Sequence, residues 1–187
     1  MSNKFLRIKS IIISFTLILS LIVSNMPFVF AEEEDRTIVI YHTNDMHGKV
    51  NSLYNGDELK QIGLDVVKNA KDTTKNSILI DAGDATQGAP IGKYGKGINI
   101  IELMNAAGYD GMTLGNHEFD YGRDAVMQIA KAAKFPVVSA NTLYNGEVFL
   151  KDVNGNNGCN FIKEVAGKKI GFFGITTEET MRTTIPA

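Results

Sequence analysis

Residues 36–48 read RTIVIYHTNDMHG, an almost continuously apolar run that changes abruptly into polar residues and a glycine. A run of this kind predicts a β-strand at residues 36–41 that is covered on both faces of its sheet. Similar apolar runs predict strands at residues 77–80, 111–113 and 136–140. Polar residues follow these strands too, so the chain repeats one unit: a buried strand that ends in a polar loop.

Three segments between these strands carry apolar residues at helical spacing. The positions are Leu59, Ile62, Val66 and Ala70 in the first segment, Ile100, Leu103, Met104 and Ala107 in the second, and Val126, Ile129, Ala130 and Ala133 in the third. We expect the first helix to start at Asn55, with Glu58 as its capping partner. Gly108 is expected to end the second helix and Pro136 to follow the third. The alternation of strand and helix predicts the α/β class, with a parallel sheet and right-handed crossovers.

The pattern changes after Asn141. Residues 147–153, 160–165 and 168–175 are strand-like, with no helical pattern between them. Ala166 and Gly167 predict a tight turn between the last two of these strands. The chain contains no repeat and no internal linker, so its folded part is predicted to be one domain.

The first 31 residues have the pattern of a secretory signal peptide. Lys4, Arg7 and Lys9 precede an apolar run at residues 11–23, and Ala31 closes a site of the kind that signal peptidases cut. We therefore expect export to a periplasm, a cell wall or the medium, with no membrane span after cleavage. A retained membrane anchor is the alternative, but the run is shorter than the ~20 residues that a span needs.

Residues 32–187 are weakly acidic. All 21 acidic residues but only 16 of the 19 basic residues follow Ala31, which leaves a formal net charge of −5. This balance argues against a nucleic-acid polymer as a partner. Cys159 is the only cysteine, so no internal disulfide can form.

Polar side chains with metal-binding chemistry follow each of the four predicted parallel strands. They are Asp45 and His47 after the first strand, Asp84 after the second, Asn116, His117 and Asp120 after the third, and Asn141 after the fourth. The carboxyl ends of parallel strands lie at one edge of a sheet, where ligands of open α/β sheets bind. Carboxylate, amide and imidazole groups without a thiolate favour a divalent cation such as Mn, Zn, Fe or Co. A bridging carboxylate and a second cation ~3.5–4 Å from the first are a recurrent device in phosphoryl transfer.

Each of these motifs also has a structural interpretation. Asp45 and His47 alone are compatible with a surface turn. We interpret Asp81 as a structural group that bonds loop amides, and His42 as a residue packed in the core or behind the site. The role of Glu118 is undecided between helix capping and support of the site. The convergence of four loops on one edge is what favours a metal site over these separate explanations.

The sequences YHTNDMHG, DAGDATQG and GNHEFDYG occur in this order at residues 41–48, 81–88 and 115–122. Together with SANT at residues 139–142 and GITTEET at residues 174–180, they resemble the calcineurin-like metallophosphoesterases. The resemblance is stronger to the branch of 5′-nucleotidases and 2′,3′-cyclic-nucleotide 2′-phosphodiesterases. It implies a layered α/β/β/α sandwich, of which residues 32–187 would be the N-terminal part of the catalytic domain.

The resemblance also implies roles for the polar residues and a pair of divalent metal ions as cofactors. Asp45 and His47 would bind one metal ion, Asp84 would bridge both, and Asn116 would bind the second. His117 would be the catalytic histidine, held in orientation by Asp120. Asn141 would be a supporting or substrate-side group.

The family completes this site with features that are absent from the sequence. His42, His47 and His117 are the only histidines, whereas the family uses further histidines downstream and a C-terminal domain that holds the nucleoside base. We therefore expect a fragment whose sandwich is incomplete at the C-terminus.

The leading functional hypothesis is hydrolysis of nucleotide phosphate esters by water activated between two metal ions. A cyclic-nucleotide phosphodiesterase, a UDP-sugar hydrolase and a sulfur-ester hydrolase are alternatives within the resemblance. An alternative of another class is a truncated, non-catalytic remnant that binds only metal or nucleotide. Metal analysis and a comparison of substrates discriminate these hypotheses, whereas the sequence fixes neither the metal nor the oligomeric state.

Overall fold

The computed structural model describes residues 37–184. The predicted signal peptide at residues 1–31, and Arg36 of the first predicted strand, lie outside this range. Within residues 37–184, no helix is both long enough and apolar enough to cross a membrane.

The described chain contains ten strands and five α-helices. The strands are β1 (Val39–Thr43), β2 (Leu53–Asn55), β3 (Glu58–Gln61), β4 (Ser77–Asp81), β5 (Gly111–Thr113), β6 (Val137–Val138), β7 (Leu143–Tyr144), β8 (Glu147–Val148), β9 (Asn160–Val165) and β10 (Lys168–Phe173). The helices are α1 (Leu64–Thr73), α2 (Pro90–Tyr94), α3 (Ile98–Ala107), α4 (Arg123–Ala132) and α5 (Thr180–Thr183), with 3₁₀ turns at His117–Phe119 and Val153–Gly155.

The central sheet has the strand order β1-β4-β5-β6, and all three strand pairs are parallel. This confirms the parallel sheet predicted from the alternation of strands and helices. The register aligns the strand ends, because Thr43 lies opposite Asp81, and Asp81 lies opposite Met112. The loops after β1, β4 and β5 therefore begin side by side at one edge of the sheet.

Helices α3 and α4 cover one face of this sheet and form the core with it. The fully buried side chains at this contact include Leu79, Met112, Ile101, Met104, Val126 and Ile129. Helix α3 ends where the sequence predicted, at Gly108, which has φ 81° and whose amide bonds to the carbonyls of Met104 and Asn105. Glycine adopts this left-handed conformation without the steric cost of a side chain.

The antiparallel hairpin of β9 and β10 packs on the opposite face of the sheet. Phe161 lies against Gly111 so closely that a Cβ at Gly111 would be 2.1 Å from its ring. Phe172 stacks on Phe161 with ring centroids 5.0 Å apart. Ala166 and Gly167 form the predicted turn, both with positive φ. Helices, parallel sheet and hairpin thus form successive layers.

The prediction of a helix from Asn55 is wrong. Strands β2 and β3 form a hairpin there, in which Asn55 pairs with Glu58 across a two-residue turn. Gly56, at the first turn position, has φ 61°, and a glycine at this position is typical of a tight hairpin turn. This local turn preference outweighs the capping pattern, and Ile62 remains 61% exposed. Helix α1 begins only at Leu64.

Two further strand predictions need correction. Residues 147–153 are strand only at Glu147–Val148, because a turn follows in which the Lys151 amide donates to the Val148 carbonyl at 3.1 Å and Asp152 has a left-handed φ of 64°. Strand β1 is not covered on both faces, since Ile40 is 47% exposed and His42 is also exposed. The physical reason is that β1 lies at the edge of the sheet order, and the aromatic side chains of the β9–β10 hairpin pack at β5 instead. Core packing of His42 is therefore excluded.

Candidate metal centre

The loop after β1 lies directly against the loop after β4. The amide of Asp45 donates to the carbonyl of Gly83 at 3.0 Å, and the amide of His47 donates to the carbonyl of Asp84 at 2.9 Å. Gly83 has φ 105°, and a Cβ there would be 2.5 Å from the amide nitrogen of Gly115 in the third loop. Gly83 thus permits the left-handed turn before Asp84, and its lack of a side chain lets the second and third loops touch.

Three of the predicted metal ligands have a strained backbone. Asp45, His47 and Asp84 have φ values of 52°, 47° and 56°. This left-handed conformation costs a non-glycine residue about 1 kcal/mol or more and persists only where the surrounding structure imposes it. Six further non-glycine residues elsewhere in the described chain share this conformation, so it shows that these loops are held by their surroundings and does not by itself mark a site.

The side chains of His47, Asp84 and His117 meet at this edge. Each offers one ligand atom, and these three atoms all lie within 4.8 Å of one another. The two imidazole rings are 5.1 Å apart between centroids and are inclined at 72°. Asp45 adjoins the group, with its Oδ1 3.8 Å from Nε2 of His47. Loops from three different strands therefore bring their donors together.

The two asparagines are placed differently from these four residues. Asn116 lies next to His117 in the third loop, and its Nδ2 donates to the carbonyl of Thr183 at 3.4 Å. Asn141 faces Thr176, to whose carbonyl its Nδ2 donates at 2.8 Å while its Oδ1 accepts from the Thr176 amide at 2.9 Å. Both ends of the Asn141 amide are thus engaged with the backbone. This arrangement favours a supporting role for Asn141 over contact with a substrate.

His117 and Asp120 form a close pair. Nδ1 of His117 is 2.8 Å from Oδ2 of Asp120, whose side chain is only 1% exposed. Partial burial acts to lower the pKa of His117, but the hydrogen bond and charge of Asp120, with the charges of Asp84 and Glu118, outweigh it and raise that pKa above 6.5. The pairing leaves Nε2 of His117 to face the site.

Glu118 ties the second and third loops together. Its buried carboxylate accepts hydrogen bonds from the amides of Asp84, Ala85, Thr86 and Gly115, at 2.7–3.1 Å, and from the Thr86 hydroxyl at 3.0 Å. Burial raises the pKa of Glu118, and the amide hydrogen bonds oppose that effect. The sequence left Glu118 open between capping and support of the site, and these contacts assign it to support of the Asp84 loop.

Asp81 has the structural role that the sequence predicted. It accepts hydrogen bonds from the Thr43 hydroxyl at 2.6 Å and from the Gly83 amide at 2.8 Å. Its side chain is buried, and burial raises its pKa to about 7 despite these two donors. Asp81 therefore fixes the start of the Asp84 loop from below the site.

Gln87 is a site residue to which sequence reasoning assigned no role. Its Oε1 is 3.2 Å from Nδ1 of His47. If that nitrogen carries the proton, Nε2 of His47 is left as the metal ligand, and such partners fix both tautomer and ring orientation. Its place in DAGDATQG, three residues after Asp84, was the only available signal.

The donor set fits a divalent cation of the borderline type. Two imidazoles and one carboxylate are within reach of one ion, a second carboxylate adjoins them, and none is a thiolate. Imidazole with carboxylate suits Mn, Zn, Fe and Co, and water completes such sites to about 4–6 ligands. The residues present are thus able to hold a metal ion.

No family model matches the chain, but known proteins are similar to it in sequence and in structure. The chain is 34% identical over 154 residues to a snake venom 5′-nucleotidase from Naja atra, which covers 76% of this chain and 29% of that protein. It is 32% identical to the trifunctional nucleotide phosphoesterase YfkN of Bacillus subtilis, over 88% of this chain and 13% of that one. The crystal structure of a 5′-nucleotidase precursor from Thermus thermophilus is similar, with a TM-score of 0.68 and 30% identity over 80% of this chain and 30% of the other.

Fold and site together define a metallophosphoesterase-type α/β protein. The chain belongs to the calcineurin-like phosphoesterases, and within them it matches a part of the 5′-nucleotidases. This confirms the resemblance and the fold class inferred from the motifs. The chain spans less than a third of the length of these relatives.

Proposed function

We propose that the chain is the metal-binding N-terminal part of the catalytic domain of an exported phosphoesterase that hydrolyses nucleotide phosphate esters as a 5′-nucleotidase does. The observation that carries the proposal is the convergence of His47, Asp84 and His117 within 4.8 Å, with Asp120 paired behind His117. Phosphate ester hydrolysis needs metal ligands and a proton donor, and an imidazole that is oriented by a carboxylate can supply the proton.

In this proposal Asp45 and His47 would hold one divalent cation, Asp84 would be shared by two, and Asn116 would contribute to the second. When bound, the cations would supply positive charge for the phosphate oxygens and make water more acidic. The protein's own contribution is to hold these side chains in place before a substrate arrives, through Glu118 under Asp84 and Gln87 beside His47.

His117 supplies the proton chemistry. In the metal-free protein the Asp120 carboxylate stabilises the imidazolium and raises the pKa of His117. A protonated Nε2 that faces the site donates a hydrogen bond or a proton to the leaving oxygen of the ester. This stabilises the negative charge that develops there as the phosphorus–oxygen bond breaks.

The nucleotide substrate and the export of the protein rest on separate support. The matched relatives are named as 5′-nucleotidases or nucleotide phosphoesterases, and one of them is a venom protein. The basic and apolar pattern of residues 1–31 is that of a secretory signal.

The geometry also favours a second candidate, a site for a single metal ion with no hydrolytic role. His117 lies as close to His47 and Asp84 as a third ligand would. In that case the chain binds one cation through His47, Asp84 and His117, and Asp120 fixes the orientation of a ligand instead of a catalytic acid.

One pair of measurements separates these candidates. The metal content of the Mn²⁺-loaded chain is measured, and hydrolysis of AMP, 2′,3′-cyclic AMP and a UDP-sugar by the whole protein of which the chain is proposed to be a part is compared with and without chelator. We expect chelator-sensitive release of phosphate from AMP, and His117→Ala should lower turnover by about 100-fold or more at nearly unchanged metal content. Loss of metal in His117→Ala would make His117 a ligand, and no hydrolysis of any substrate by the metal-loaded whole protein would contradict the proposed activity.

A further inference from the structure

The last described segment, residues 174–184, runs from the second sheet layer to the candidate metal centre. Its start is anchored below the third loop, because the buried Thr176 hydroxyl donates to the carbonyl of Leu114 at 2.8 Å. The Asn141 amide holds the Thr176 backbone from the other side. These contacts direct the segment toward residues 116–120.

The end of the segment contacts the loop that carries the imidazole. The carbonyl of Thr183 accepts from Asn116, and the hydroxyl of Thr184 donates to Oδ1 of Asp120 at 2.8 Å. The other oxygen of that carboxylate, Oδ2, is the one that pairs with His117. Thr184 and His117 therefore bind opposite oxygens of one buried carboxylate.

Each hydrogen bond to the Asp120 carboxylate restricts its rotation about the Cβ–Cγ bond. The bond from Thr184 therefore helps to set the plane of the group, and with it the direction in which His117 is held. We propose that Thr184 is a positioning residue, which orients His117 through Asp120. This inference rests on the proposed function, in which the imidazole of His117 acts on the leaving group.

Neighbouring threonines make the contact of Thr184 specific. The hydroxyls of Thr180 and Thr183 donate to the carbonyls of Thr177 and Glu179, three and four residues earlier in the chain. The Thr184 hydroxyl instead reaches 64 residues back to Asp120. Thr184 is only partly buried, so its replacement removes little of the core. Thr183→Val is thus a matched control, with the same chemical change one residue away.

The test uses two readouts, with Thr184→Val, Thr184→Ser and the Thr183→Val control. The first is the imidazole NMR spectrum of the metal-free protein, in which only three histidines contribute signals. We expect the Nδ1–H signal of His117 to shift and to exchange faster with water in Thr184→Val. Serine keeps the hydroxyl, so Thr184→Ser should resemble the parent, as should Thr183→Val.

The second readout is hydrolysis of AMP by the Mn²⁺-loaded whole protein of which the chain is proposed to be a part. Thr184→Val should lower kcat by about tenfold, the effect of losing one hydrogen bond to a charged group, with KM and metal content unchanged. A His117 signal in Thr184→Val that is identical to the parent signal would overturn the proposal. A shifted signal with no hydrolysis by any variant would support the positioning role and contradict the proposed function alone.

Discussion

The loops that carry Asp84 and Asp45 are held in place in different ways. The Asp84 backbone is clamped from beneath by the fully buried carboxylate of Glu118, which gathers five donors. The Asp45 side chain is 62% exposed, and its neighbours are the Asn44 amide at 2.6 Å and His47. The protein thus builds one half of the site into its interior and leaves the other half open to solvent.

The two loops therefore serve different purposes: the Asp84 loop is fixed before a metal binds, whereas the Asp45 side chain is available for metal binding. A buried carboxylate that serves only backbone donors stabilises a loop conformation whether or not a metal is present. An exposed carboxylate contributes little to folding, and its geometry is completed by whatever binds it. Variants in the two halves should therefore differ in which property they change.

The largest effect is expected for Glu118→Gln. Each oxygen of Glu118 accepts at least two hydrogen bonds. In glutamine an NH₂ group replaces one of these oxygens, and it would face the N–H or O–H groups that donate to that oxygen in the parent. We expect a loss of about 5 kcal/mol in the free energy of unfolding, and Mn²⁺ binding weakened by more than tenfold. Urea unfolding and calorimetric titration measure the two.

Thr86→Val is the matched control for this change, since it removes one of the five donors and leaves the carboxylate intact. It should cost about 1 kcal/mol and leave Mn²⁺ affinity close to that of the parent. If Glu118→Gln keeps the stability and the Mn²⁺ affinity of the parent protein, the hydrogen bonds to the Glu118 carboxylate do not organise the Asp84 loop.

The next largest effect concerns the pH dependence of stability through Asp81. Its pKa is about 7 in the folded protein against 3.8 as the ordinary value, so folding disfavours its ionisation. The contribution of Asp81 to the free energy of unfolding is therefore complete below pH 4. It decreases as the pH rises toward 7, by on the order of 4 kcal/mol.

Asp81→Asn should remove this contribution and flatten the dependence. Asparagine can still accept from the Gly83 amide, and Thr43 can turn its hydroxyl toward Tyr109, 2.9 Å away. Urea unfolding of both proteins between pH 4 and pH 8 tests this expectation. Parallel curves would mean that burial does not raise the pKa of Asp81.

A smaller effect on stability is expected for Asp120→Asn, which removes the negative charge next to His117. The pKa of His117 should fall, because the carboxylate that holds it above the ordinary value is lost. In the parent, the pair contributes stability that is complete below the ordinary histidine pKa and is lost as the pH rises through the raised one. NMR titration of the metal-free chain measures the midpoint, and an unchanged His117 midpoint would contradict the assignment.

The smallest effect on stability is expected for Asp45→Asn. The exposed side chain should change the free energy of unfolding by no more than about 0.5 kcal/mol. Mn²⁺ affinity should nevertheless fall, since asparagine offers a neutral oxygen where a carboxylate stood. A stability loss as large as that of Glu118→Gln would contradict the conclusion that the Asp45 side chain contributes little to folding.

The sequence predicted the parallel sheet, helices α3 and α4 and the β9–β10 hairpin, because each depends on residue spacing and on turn residues along the chain. It also placed His47, Asp84 and His117 at the ends of neighbouring strands, and these side chains do meet. It failed at Asn55, where hairpin and helix signals overlap and the turn glycine decides between them.

The partners of the buried groups were decided by the tertiary structure alone. Glu118 serves amides 32–34 residues earlier in the chain, and Thr184 reaches Asp120 across 64 residues. No local pattern encodes such pairs, because they form only after sheet, helices and hairpin have packed. The sequence by itself determined which chemical groups arrive at the edge of the sheet; packing decided which of them are fixed there and which remain open to a ligand.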